Sequence, residues 1–106
     1  MSLSLPAEIE SRRSGIADLC RRYGVRTLYL FGSAATAAWD SSRSDFDFIV
    51  SFLPRPRESI ADRYLGLANG LEAILGRPVD LLTENAVRNP YFRRNVDATR
   101  VALYAA

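Results

Sequence analysis

The chain has 106 residues, 48% of them hydrophobic and 25% charged, with a formal net charge of +2. That length supports one hydrophobic core, and residues 1–106 read as a single domain. With no histidine, no lysine and one cysteine, the chain is excluded from Ser-His-Asp and Cys-His catalysis, from histidine or cysteine metal sites, from internal disulfides and from Schiff-base chemistry.

All fourteen basic residues are arginine, and the small net charge does not by itself argue for nucleic-acid binding. No apolar run is long enough for a membrane helix and the N-terminus lacks a basic-then-apolar signal pattern, so a cytoplasmic protein is expected.

Pro6, followed by Glu8 and Glu10, opens the first predicted helix, favoured by first-turn proline and by the helix dipole. Ile9, Ile16, Leu19, Cys20 and Tyr23 recur at helical spacing and form its apolar stripe. Cys20 on that stripe is a packing residue, and Arg12, Arg13, Arg21 and Arg22 line the solvated face. Gly24 stops the helix. Residues 27–31 then form an apolar run that reads as a buried strand. Gly32-Ser33 breaks it, and residues 34–39 have helix-forming composition. A polar turn over 40–44 leads into a second strand over 45–52, where Phe46, Phe48, Val50 and Phe52 alternate with Asp45, Asp47, Ile49 and Ser51. Pro54-Arg55-Pro56 ends the ladder.

A helix is predicted over 57–75, with Ile60, Tyr64, Leu67, Leu71, Ile74 and Leu75 on one side. Gly70 within it costs about 1 kcal/mol relative to alanine, and Gly76 caps it. Residues 79–82 read as a third strand, 83–85 as a turn, Asn89-Pro90 as a cap for a helix over 91–96, and 100–104 as a last strand. The alternation predicts an α/β domain of two or three layers with a mixed sheet.

Three features carry chemistry. Asp45 and Asp47, two apart on a strand, share a face and repel each other unless a cation or a shared proton compensates. Gly32-Ser33 is a strand-to-helix turn whose backbone N–H groups can receive a phosphate, the glycine permitting close approach. Asp80, on the next strand, is placed to complete a metal-binding cluster or to take a proton. Singly each has a plainer reading: a turn, a solvent-facing acidic pair, a salt-bridge partner.

In this order, Gly32-Ser33, Asp45-Phe46-Asp47 and Asp80 within the segment RPVDLL resemble the minimal nucleotidyltransferases of the DNA polymerase β superfamily. The resemblance spans nearly the whole chain. It implies a polymerase β-like α/β (α+β) fold in which Gly32 and Ser33 hold ATP and in which Asp45, Asp47 and Asp80 bind Mg²⁺, with two ions expected. It implies transfer of AMP to a hydroxyl, and as partner a helical HEPN ribonuclease toxin that this chain would counter as antitoxin. The alternative is a degenerate member that silences its partner by contact alone. Two departures bear on this choice: Thr36 and Ala37 stand where the family carries arginine and glycine, and the spacing to Asp45 is one residue longer than is commonest. Nucleotide binding is therefore expected to be weakened, with Arg43 as the basic residue nearest to restoring the charge. Little beyond the nucleotide-holding core is evident, so a partner protein is expected to present the acceptor. Direct nucleic-acid binding is not expected: Arg93-Arg94 and the first helix offer charge, but no stacking platform accompanies them.

Overall fold

The computed structural model describes residues 5–36 and 45–106. Ala37, Trp39, Arg43 and the expected turn over 40–44 lie outside the described residues. In chain order the elements are α1 (Ala7–Glu10), α2 (Arg13–Arg22), β1 (Val25–Phe31), a 3₁₀ turn (Gly32–Ala35), β2 (Phe46–Phe52), α3 (Ile60–Leu75), β3 (Val79–Thr83), a second 3₁₀ turn (Glu84–Ala86), α4 (Pro90–Thr99) and β4 (Val101–Ala105).

The expected first helix is in fact two. Ser11 donates its hydroxyl to the Glu8 carbonyl at 3.3 Å, an alternative to continued helix that serine readily takes. The stripe survives the break, since Ile9, Ile16 and Cys20 are all buried. After Gly32 the backbone forms a short 3₁₀ turn through Ala35, with Thr36 in extended conformation, where an α-helix is predicted from residue 34.

The strands form one mixed sheet in the order β3-β2-β1-β4. β1 is antiparallel to both β2 and β4, while β2 and β3 are parallel and joined through α3, since parallel neighbours require a crossover. Leu28, Leu30, Phe46, Phe48 and Val50 face α1, α2 and α3, burying Ile9, Ile16, Cys20, Leu67 and Leu71 against them. The opposite face carries a smaller cluster, Phe31, Ile49, Val87 and Val96, with Tyr29 and Leu82 at its margin. Ile49, expected only to share a face with Asp45 and Asp47, is thus fully buried beneath α4. The carboxylate face is half covered, which confines the open part to its upper edge.

α3 starts at Ile60, three residues later than predicted, because the Ser59 hydroxyl caps it by accepting from the Asp62 N–H at 3.3 Å. Ile60, expected on the buried side, is 57% exposed. The residue that is buried instead is Arg63, 5% exposed, donating to the carbonyls of Tyr23 (2.9 Å), Gly24 (2.7 Å) and Leu53 (2.9 Å). Its guanidinium lies over the Phe52 ring at 4.8 Å. Gly70 also has a use that propensity does not show. A Cβ there would stand 2.7 Å from Leu19, and one on Gly66, a turn earlier, 2.4 Å from Tyr23. The two glycines let α3 lie close on α2, which offsets their helix cost.

Candidate active site

The sheet register brings the candidate residues into one row. Phe31 at the end of β1 pairs with Asp47, and Asp47 with Asp80 across the parallel β2–β3 ladder. Asp45 lies one residue before β2, two before Asp47, and is exposed. Directly after Phe31 comes Gly32, at φ 74°, a left-handed conformation that suits glycine. A Cβ on Gly32 would stand 2.7 Å from Asp47 Oδ2. The Gly-Ser turn and the second aspartate of Asp-Phe-Asp are therefore in direct apposition, although fifteen residues of numbering separate them.

The electrostatics follow from that packing. The Asp47 carboxyl is pushed up from an ordinary 3.8 to about 6, first by burial, then by the charge of Asp80, by a side-chain hydrogen bond with Asp80 and by the charge of Asp45. A hydrogen bond between two carboxyl groups requires a proton on one of them. A shared proton thus relieves the repulsion, and a divalent cation is the other species able to do so. The donor set, carboxylate oxygens with no nitrogen or sulfur, suits a hard cation such as Mg²⁺. Among the described residues, however, no group of three or more carboxylate or thiol side chains is gathered closely enough to hold one ion. The close pair is Asp47 with Asp80, and Asp45 acts on it through its charge.

The sign of the Asp47 shift sets a stability prediction. A carboxyl raised in the fold keeps its proton between about pH 4 and 6, where the unfolded chain has lost it. Stability should therefore fall as pH rises through that window, and the penalty is fully present above it. In metal-free buffer Asp47→Asn should raise stability at pH 7.5 by about 1 kcal/mol, allowing for solvent screening of a half-exposed group, and change little at pH 3.5. Thermal unfolding of both proteins at the two pH values checks this; equal gains at both would show that the carboxyl repulsion is not the cause.

The Gly-Ser turn is held in a way that the motif alone does not reveal. The Gly32 N–H donates to the Thr99 hydroxyl at 3.0 Å, and that hydroxyl donates to the Asn95 carbonyl at 2.9 Å. One N–H of the expected phosphate cradle is thus occupied by the end of α4, which leaves the Ser33 N–H at the start of the 3₁₀ turn. Thr36 turns back on the same loop, its hydroxyl and its N–H both meeting the Ser33 carbonyl at 3.1 Å. It closes the turn, and its neutral side chain brings no charge to a phosphate. Arg43 and Ala37 lie outside the described residues.

Beside the pair of aspartates opens a cleft of about 510 Å³, walled by Phe31, Asp47, Tyr64, Val79, Asp80, Leu81, Leu82 and Phe92. Its size is that of a small-ligand site, about 300–1,000 Å³. Tyr64 donates its hydroxyl to the Leu81 carbonyl, holding α3 to the floor. Phe92 stands on the first turn of α4, whose start is fixed by Asn89: its side-chain oxygen accepts from the N–H groups of Tyr91 and Phe92 at 2.9 and 3.2 Å. Arg93 secures the same turn through the Glu84 carboxylate at 3.2 Å and the Glu84 carbonyl at 2.7 Å. Neither Thr99 nor Phe92 is signalled by sequence pattern; both reach the site only because α4 folds over the carboxylate face.

Residues 13–103 match the nucleotidyltransferase domain family. The chain belongs to that family. It is 37% identical, over 76 residues covering 72% of this chain and 74% of the relative, to a Methanocaldococcus jannaschii protein named "putative protein adenylyltransferase". A solved structure described as a putative minimal nucleotidyltransferase superposes with a TM-score of 0.71 at 28% identity, covering 95% of both chains. The same fold occurs in a Shewanella oneidensis complex of a tri-AMPylated HEPN toxin with an MNT antitoxin, TM-score 0.61 and 20% identity over 92% of this chain and 72% of the other. The mixed four-stranded sheet with its flanking helices is the minimal nucleotidyltransferase fold, as the motif order implies. No helix among the described residues is long and apolar enough to cross a membrane.

Proposed function

We propose that this nucleotidyltransferase-family protein transfers AMP from ATP to a hydroxyl group on a partner protein, and that the partner is a HEPN-type toxin which the transfer silences. The observation that carries the reading is the row formed by the Gly32 turn, Asp47 and Asp80, with Asp45 one residue outside β2. It joins a phosphate-receiving turn to carboxylates that already demand a compensating positive charge. Asp47 and Asp80, the pair that the register brings together, would hold Mg²⁺ with the Asp45 charge beside them, and the ion neutralises charge on the triphosphate when bound. The likeness to a chain from an AMPylated toxin complex, and the name of the archaeal relative, support a protein hydroxyl as acceptor.

In the transfer the acceptor oxygen forms a bond to the α-phosphorus, the bond from that phosphorus to the α,β-bridging oxygen breaks, and pyrophosphate leaves. Ser33 and the start of its turn orient the phosphates. Asp80, at the outer end of the row, accepts the hydroxyl proton. The contribution of these residues is positioning and electrostatics.

One observation favours a second reading, an antitoxin that acts by contact alone: among the described residues lining the cleft none is basic, and Thr36 closes its own turn. Co-expression with a small helical HEPN protein, followed by intact-mass measurement of that partner, separates the two. Transfer predicts a mass gain of one or more AMP units that disappears with Asp45→Asn. A partner that is bound and silenced without added mass, whether or not Asp45 is intact, would establish the contact mechanism.

A further inference from the structure

The cleft beside the carboxylates is acidic on one side and aromatic on the other. Phe31 is 4% exposed, whereas Phe92 remains 41% exposed on the cleft wall. The two rings meet edge to face, with centroids 6.0 Å apart and planes at 72°. Phe92 is held from behind by this contact, and the Asn89 cap and the Arg93 clasp fix the helix turn that carries it. Exposing a phenylalanine in water is unfavourable, and this one has a defined pocket before it.

We infer that Phe92 is the stacking platform for the base of the bound nucleotide. The inference rests on the nucleotidyltransfer reading and adds to it the position of the base. Phe31 directly precedes Gly32, so the aromatic wall begins one residue from the phosphate-receiving turn. A base tethered through ribose to phosphates on that turn has Phe92 within reach, while Asp80 keeps the acceptor at the far end of the row. The wall also dictates how the base is read. Among the described residues lining the cleft, the Tyr64 hydroxyl is spent on the Leu81 carbonyl, and Val79, Leu81 and Leu82 offer only apolar side chains. Stacking accepts any base, because every base has a π-face. The stack by itself therefore does not discriminate ATP from GTP.

Calorimetric titration with ATP, GTP and inorganic tripolyphosphate, each with Mg²⁺, tests this. Phe92→Ala should weaken both nucleotides about tenfold, the loss expected for one base–aromatic stack, and leave tripolyphosphate unchanged. Phe92→Leu keeps apolar volume without a π-face and should lose as much. Phe92→Trp should bind as the parent does, and so should Tyr91→Ala, which removes an exposed ring on the same helical turn but outside the cleft. Equal losses for tripolyphosphate and ATP would make Phe92 a structural residue and overturn the inference. So would unchanged ATP affinity accompanied by lost transfer to a partner, which would put the ring on the acceptor side. If the parent binds tripolyphosphate no more weakly than ATP, the base makes no contact and the stacking inference alone falls. If it binds neither, the nucleotidyltransfer reading falls as well.

Discussion

Gly32→Ala is expected to destabilise the protein by about 3 kcal/mol and to abolish Mg²⁺-dependent nucleotide binding. Two costs combine. The residue sits at φ 74°, where an L side chain is strained by about 1–2 kcal/mol. The added Cβ would also lie 2.7 Å from Asp47 Oδ2, and relieving so tight a contact costs about 1–3 kcal/mol. The carboxylate must move, and it is the one that stands opposite Asp80 across the β2–β3 ladder. For a domain of this size such a loss lowers the melting temperature by more than about 10 °C. A double-mutant cycle separates the terms: in an Asp47→Ala background the clash is gone, so Gly32→Ala should cost only its backbone strain. Costs that add fully would show that the glycine and the aspartate are not in contact.

The second large effect is expected far from the cleft. Arg63→Ala should lower stability by about 3 kcal/mol in urea unfolding, with an unchanged m-value. The guanidinium satisfies three carbonyls, those of Tyr23, Gly24 and Leu53, where α2 ends, β1 begins and β2 has just finished. Truncation takes the guanidinium donors from these acceptors, of which Gly24 keeps the Leu53 N–H, and forfeits the contact with Phe52. Arg63→Lys should recover less than half of the loss, since an ammonium cannot span three acceptors with a planar fork. Nucleotide affinity, measured where the variant is still folded, should match the parent, because the clasp closes the opposite end of the sheet from Asp47 and Asp80. A variant that loses affinity while remaining folded would instead couple the clasp to the cleft.

These two residues illustrate how differently parts of this protein are written. The strands were legible to within two residues because Leu28–Phe31 and Phe46–Phe52 carry dense apolar runs, and the Gly76 stop and Asn89-Pro90 start because local backbone chemistry alone decides them. The carboxylates and the Gly-Ser turn were legible as a motif, since period-two alternation in a strand puts Asp45 and Asp47 on one face without help from the rest of the chain.

What only the tertiary structure decided depends on contacts between segments remote in sequence. That Asp47 stands opposite Asp80 follows from the parallel register of β2 and β3, set by the length and packing of α3. Ile49 is buried, and Phe92 and Thr99 reach the site, because α4 crosses the carboxylate face. Arg63 lies inside, a position no apolar periodicity announces, since its guanidinium meets the carbonyls of Tyr23, Gly24 and Leu53 where three segments cross. Periodicity records which face of an element is apolar; it cannot record which polar group another element will leave unsatisfied. In this chain that second kind of information holds the Gly32 turn, through a hydroxyl sixty-seven residues away.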